Sequence, residues 1–301
     1  MNKQTILVYA SIILAMLFWS FSFVWVKIVY LVYNPITTVF VRLIISSALL
    51  FLIGKIIGRI QPISKKDRMH LVLLAFFEPF LYFMGESFGL KLVSSTLGAV
   101  IISTIPLFAP IAAYFFHKEK ISAKIILGIL ISIIGVGVII FNKEFNLIAS
   151  PVGIALMFVA VGAAVGYSIV LKNLASKYNP LTLITYQNLI GIAFFMPLFF
   201  VFDWNHFINA EPTTEVWIAI IELAIFASSL AFMCFTYALK YLGINKSNIF
   251  INAIPVFTAI FAYFVLNETL SFQKMVGISI VISGLFLSQV KLKMFKIGVK
   301  K

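Results

Sequence analysis

Tyr33-Asn34-Pro35-Ile36-Thr37 recurs as Tyr178-Asn179-Pro180-Leu181-Thr182, a separation of 145 residues. Lys27 and Lys172 stand at the same separation. A second set repeats at a separation of 149. It pairs Ile105-Pro106-Leu107-Phe108 with Ile254-Pro255-Val256-Phe257, and Leu90-Lys91 with Leu239-Lys240. It also pairs Glu119 with Glu268, Ser122 with Ser271, Gly128 with Gly277, and Gly135 with Gly284. Apolar matches arise by chance in a chain this greasy, but a shared order of Pro, Lys, Glu and Gly does not. The chain therefore reads as two copies of one unit, residues 1–145 and 146–301.

The composition says what kind of unit this is. Of 301 residues, 62% are apolar and only 11% charged, where a soluble domain carries about 25% charged. Too few charges remain to cover a water-facing surface. Disorder is excluded by the same values, and a disulfide scaffold by a single cysteine, Cys234. The class that remains is an all-α membrane protein of several spans, with the lipid bilayer as its surroundings. The net charge of +13 does not indicate nucleic acid, because the lysines sit in short gaps between apolar runs.

Ten such runs approach the roughly 20 residues that cross a bilayer core. They are 5–26, 36–53, 70–90, 97–116, 123–141, 152–173, 182–202, 217–239, 248–266 and 274–290. The first is longer than a signal-peptide core and is expected to be a retained anchor. With the N-terminus in the cytoplasm, eighteen of the 23 Lys and Arg fall inside. Lys27, Lys91, Lys143 and Lys274 fall outside, and Arg42 falls within a span. The positive-inside rule therefore puts both termini in the cytoplasm, in a cytoplasmic (inner) membrane.

Each copy holds five spans. An odd number threads the second copy through the membrane in the opposite sense, giving ten transmembrane helices in two inverted five-helix repeats. Inverted repeats suit alternating access to a site near the bilayer midplane. The other reading of the duplication is an inert bundle.

Three stretches carry a likeness to a known family: Phe18-Trp19-Ser20 leading to Lys27, Asn34-Pro35 followed by Arg42-Leu43, and the run from Ile101 through Pro106 to Glu119, echoed up to Glu268. In these the chain resembles the drug/metabolite transporter superfamily in its EamA-like branch of ten-helix permeases. The likeness extends over about residues 8 to 290. The resemblance implies a carrier for small metabolites in the cytoplasmic membrane, often an exporter of amino acids or related compounds. It fixes neither the substrate nor the roles of the acids discussed next.

Ionisable groups at bilayer depth are costly and mark function. Arg42, Glu78, Glu86 and Glu222 stand within spans. At a 1.5 Å rise per residue, Arg42 lies roughly 9 Å and Glu86 roughly 6 Å below the outer ends of their helices. Glu78 lies roughly 18 Å below, near the middle. Shared depth makes a direct Arg42–Glu86 pair the expectation and leaves Glu78 as an unpaired midplane acid. In the second copy Arg42 becomes Gln187, Glu86 becomes Phe235 and Glu78 becomes Ala227. Two roles stay open: binding a polar or zwitterionic substrate, or exchanging a proton or other ion. A purely structural ion pair is the third reading. Glu222 reads as interfacial.

Further polar residues are expected to line a shared cavity. They are Trp19 and Ser20 in span one, Tyr82 four residues beyond Glu78 on one helix face, and Tyr167 in span six. Gln187 and Asn188 follow in span seven, and Asn248 and Asn252, one stripe, in span nine. Interhelical hydrogen bonding explains each singly. Pro106 and Pro255 are expected to kink their helices and shape or gate the cavity. The glycines Gly128, Gly135, Gly277 and Gly284 indicate that spans five and ten pack closely, against each other or as a dimer face.

No catalytic, metal or cofactor motif appears: His70, His117 and His206 are scattered, and no phosphate loop occurs. The expected function is secondary transport of a small-molecule substrate without ATP, and not catalysis. The alternatives are a membrane enzyme acting on lipid, which lacks the clustered acids or histidines it needs, and a non-transporting membrane subunit. Oligomeric state is not encoded legibly.

Overall fold

The computed structural model describes residues 3–108, 123–141, 149–243, 247–248 and 250–289. Glu119, the far half of the fourth span and the lysine-rich tail from Lys291 lie outside these residues. Ten apolar helical segments follow one another among the described residues. They are α1 Lys3–Val29, α2 Pro35–Ile56, α3 Lys65–Leu92, α4 Ser95–Phe108 and α5 Ala123–Ile140, then α6 Pro151–Ala175, α7 Pro180–Asn209, α8 Thr214–Leu242, α9 Phe250–Leu266 and α10 Phe272–Gln289. Six of them (α1, α2, α3, α6, α7 and α8) are long and apolar enough to cross a membrane. The other four are shorter apolar helices.

Helix starts follow local chemistry. Pro35, Pro151 and Pro180 each occupy the first turn, where the missing N–H is not needed. Asn179 caps α7 itself, its side chain accepting from the Thr182 N–H at 2.8 Å. The matching Asn34 makes no cap bond. At α2 the acceptor comes from the distant end of α7, where Asp203 takes the Thr37 N–H at 2.9 Å and the Thr37 hydroxyl at 2.8 Å. The start of α7 is held reciprocally by the first turn of α3. There Asp67 accepts from Lys177 at 2.7 Å and from the Tyr178 hydroxyl at 2.9 Å. The duplicated Tyr-Asn-Pro-x-Thr stretch thus pins both ends of a packed α2–α7 pair.

α3 departs from the unbroken helix expected over 70–90. A wide π turn spans Phe76–Leu81, Glu78 is non-helical (φ −148, ψ 119), and the Glu78–Pro79 bond is cis. Pro79 has no N–H for the ladder and pushes the residue before it out of the α region. Gly191 on α7 makes room for this bend: a β-carbon there would lie 2.3 Å from the Pro79 ring.

Pro106 and Pro255 do not kink continuous helices. Pro106 lies just past a turn at residues 103–104 that ends the α-helix Ser95–Ile102. Pro255 sits in the first turn of Ile254–Leu266, after a 3-10 turn at Phe250–Ala253. Each proline therefore opens a fresh α segment.

α5 and α10 pack on each other along their lengths. A β-carbon on Gly135 would stand 2.7 Å from the Val281 amide nitrogen, and one on Gly284 2.7 Å from the Gly128 carbonyl oxygen. The duplicated glycines thus let α5 and α10 approach backbone to backbone within the chain, the first of the two expected arrangements.

Candidate functional site

At the centre, α1, α2, α3, α4, α6, α8 and α9 enclose one cavity. Trp19, Arg42, Glu78, Tyr82, Glu86 and Tyr167 are on its wall, as the sequence led us to expect. The bend at Glu78–Pro79 places Glu78 and Tyr82 there by a different route from the helical spacing invoked above. The cavity offers about 50 Å³ to the centres of water molecules, so water fits within it.

Arg42 and Glu86 share this cavity but do not pair directly. Lys177 and Asp67 do form an ion pair, at 2.7 Å, whereas no such contact joins Arg42 to Glu86. Arg42, 2% exposed, donates its Nε–H to Ser228 Oγ at 2.8 Å. Its guanidinium carbon lies 4.4 Å from the centre of the Phe83 ring, a cation–π arrangement. Glu86 accepts from the Tyr82 hydroxyl at 3.0 Å. Equal depth on neighbouring helices did not guarantee contact, because a serine from α8 and a ring from α3 claim the guanidinium first. No hydrogen bond joins Glu78 to the described residues, although it is only 5% exposed.

Behind the cavity wall lies a layer of hydrogen bonds. Asn188 Nδ2 donates to Ser46 Oγ at 2.8 Å and to the Ser228 carbonyl at 3.2 Å, and the hydroxyls of Ser46 and Ser229 share a bond of 2.7 Å. This layer fixes α2, α7 and α8 around Ser228 and so aims Arg42. Tyr167 donates to Gln187 Oε1 at 3.2 Å. Trp19 packs against Phe232 and Phe235, with ring centres 5.1 Å away in each case.

Five expected lining residues are not on the wall. Gln187 and Asn188 belong to the supporting layer. Ser20 turns back to the Met16 carbonyl at 2.7 Å, with a longer contact of 3.4 Å to the Ile254 carbonyl. Asn248 and Asn252 are buried, and α9 presents Ile251 and Ile254 to the cavity instead. The 3-10 turn breaks the α-helical stripe on which their placement depended. Among the described residues neither side-chain amide finds a partner, nor does the hydroxyl of Ser247. Ser228, Asp203 and Asp67 were missed. The signal for the aspartates was the duplicated motif itself, whose two copies need partners to bury them.

A bundle of apolar helices folded around a buried, charged pocket has the build of a membrane transport protein. The EamA-like transporter family model matches the chain twice, over residues 6–141 and 151–289, and the chain belongs to that family. It is 28% identical to the uncharacterized transporter YetK of Bacillus subtilis, over 83% of this chain and 77% of that one. An uncharacterized transporter of Archaeoglobus fulgidus is also 28% identical, over 97% and 99% of the two chains. A chloroplastic WAT1-related protein of Arabidopsis thaliana is 26% identical, over 95% and 70%. A solved crystal structure shares the fold with a TM-score of 0.69, at 16% identity and over 95% and 97% of the two chains.

Proposed function

We propose that this chain is a secondary carrier that moves a small organic solute with charged head groups, an amino acid or a related compound, through the central cavity by alternating access. The observation that carries the reading is the charge content of that cavity: one cation, Arg42, and two acids, Glu78 and Glu86. With both acids ionised the cavity holds a net charge of −1, which is costly in a low-dielectric interior unless it is neutralised. A solute carboxylate suits the guanidinium, whose side chain spends only its Nε–H on Ser228, and a solute ammonium suits one acid. The remaining negative charge calls for one more positive charge, supplied by a proton or by the solute. A proton in that role couples transport to the pH gradient, and a second cationic group on the solute removes the need for one. Outward direction is carried over from the family resemblance alone. Both termini in the cytoplasm of a cytoplasmic membrane is the orientation that the lysine distribution supports.

The test is a screen of metabolite uptake and release in proteoliposomes, with and without a pH gradient, on the unmodified chain and on Glu86→Gln and Glu78→Gln. Glutamine keeps an acceptor for Tyr82 and removes the charge. Transport is expected to fall in both variants while the protein still inserts, with Glu78→Gln or Glu86→Gln losing its response to the gradient. Unchanged transport accompanied by a loss of stability alone would make these acids structural and overturn the proposal.

A further inference from the structure

At one end of the bundle, four helix ends are tied together by one cation and one anion. Lys27, closing α1, donates its ammonium to the carbonyl oxygens of Leu90 and Val93 at the end of α3, the latter at 2.6 Å. Glu268, just past α9, accepts from the N–H groups of Ser95 at 2.8 Å and Thr96 at 3.4 Å, and from the Thr96 hydroxyl at 2.9 Å. These are the free N–H groups that open α4. The cation thus covers spent carbonyls and the anion covers free amides, the arrangement that helix dipoles favour.

The separations of 145 and 149 carry this cluster onto the opposite end of the molecule. Lys27 maps to Lys172 on α6, and Leu90 and Val93 map to Leu239 and Leu242 at the end of α8. There the bonds equivalent to those of Lys27 are not made among the described residues; Glu119 and Ile244, the counterparts of Glu268 and Ser95, lie outside them. Lys172 is exposed, and its ammonium reaches no acceptor among the described residues. Packing shows the same asymmetry independently. α4 packs against both α1 and α3. The counterpart of that packing would be α9 against α6 and α8, yet among the described residues α9 packs against α1 and α4 and shares no extended face with α6 or α8.

We propose that Lys27 and Lys172 are the paired latches of the transport cycle: Lys27, with Glu268, shuts one mouth of the cavity in this structure, and Lys172 shuts the other by docking on the Leu239 and Leu242 carbonyls when the first latch opens. Two halves of one design, caught in different arrangements, give the two states of the molecule. The structure is the state closed at the Lys27 end. This rests on the carrier reading for its purpose, but its geometry and its test do not need a known solute.

The test uses the full chain with Cys234→Ala and a reporter, Ser22→Cys, on the cavity wall. Labelling by a membrane-impermeant maleimide is followed from each face, in intact cells and in inverted vesicles. The latch predicts that Lys27→Ala and Glu268→Gln raise labelling from the Lys27 face relative to the other by about tenfold, the shift a lost pair of charged bonds imposes on a two-state equilibrium. Lys172→Ala is expected to move the ratio in the opposite sense, and Lys27→Arg to restore it. Shifts of the same sign for both lysines, or a lowered melting temperature with an unmoved ratio, would overturn the latch. Opposite shifts in a chain that moves no solute would keep the latch and reject the carrier.

Discussion

Replacing Ser228 by alanine tests whether Arg42 is aimed or merely buried. The Ser228 hydroxyl accepts the Arg42 Nε–H at 2.8 Å, and both residues are almost fully buried, at 1% and 2% exposure. The variant removes one oxygen and leaves a charged donor in an enclosed place with nothing to receive it. Hydrogen bonds to charged groups contribute about 1.5–3 kcal/mol, and Asn188 still holds the Ser228 carbonyl, so the local backbone is kept. Ser228→Ala should therefore cost about 1.5–3 kcal/mol in stability. The same loss of aim should weaken solute affinity by roughly tenfold for each 1.4 kcal/mol that reaches the bound state. Arg42→Met removes the charge while keeping the bulk against Phe83. The double variant closes a cycle whose coupling energy should be about 1.5–3 kcal/mol. The measurements are thermal unfolding in detergent and the concentration dependence of transport for the four proteins. If the two substitutions simply add, the serine does not hold the guanidinium, and the argument for an oriented binding group fails.

Two further outcomes are expected. Asp203→Ala removes the acceptor that stands in for a cap on α2, leaving the Thr37 N–H and hydroxyl unpaired; unfolding should show a loss of about 1–2 kcal/mol, whereas no loss would mean that water replaces the carboxylate. Replacing Asn248 and Asn252 together by leucine removes four buried amide atoms that have no partner among the described residues. The protein should melt higher, since unpaired polar groups destabilise by about 1–3 kcal/mol each, and transport should fall if those amides bond to solute or to another helix in a second state. A lower melting temperature would show that the amides are satisfied after all.

The helical class and the approximate positions of the apolar helices among the described residues were legible because they rest on long-range composition, which one or two residues cannot overturn. The charged residues of the cavity were legible for a similar reason: a membrane interior tolerates ions only where they are used. Contacts between side chains were not legible. Arg42 and Glu86 share a depth, but depth is one coordinate of three, and the rotation of α8 that delivers Ser228 leaves no mark in the sequence. Glu78 and Tyr82 were assigned to one face on the assumption of unbroken helical geometry, although Pro79 already argued against it. Asn248 and Asn252 failed in the same way, since an i, i+4 stripe exists only while the helix stays α. The two Tyr-Asn-Pro-x-Thr copies identified the repeat but not their unequal capping, because the partner of Thr37 is supplied by Asp203, far along the chain.

The glycine-lined contact of α5 with α10 sets a limit on how such a molecule can move. Where backbones touch, no long side chain is available to change rotamer and absorb a sliding displacement, so this pair must travel as one stiff strut. Any rearrangement would then fall to the segments around the cavity, turning about a spine to which both halves contribute one helix each.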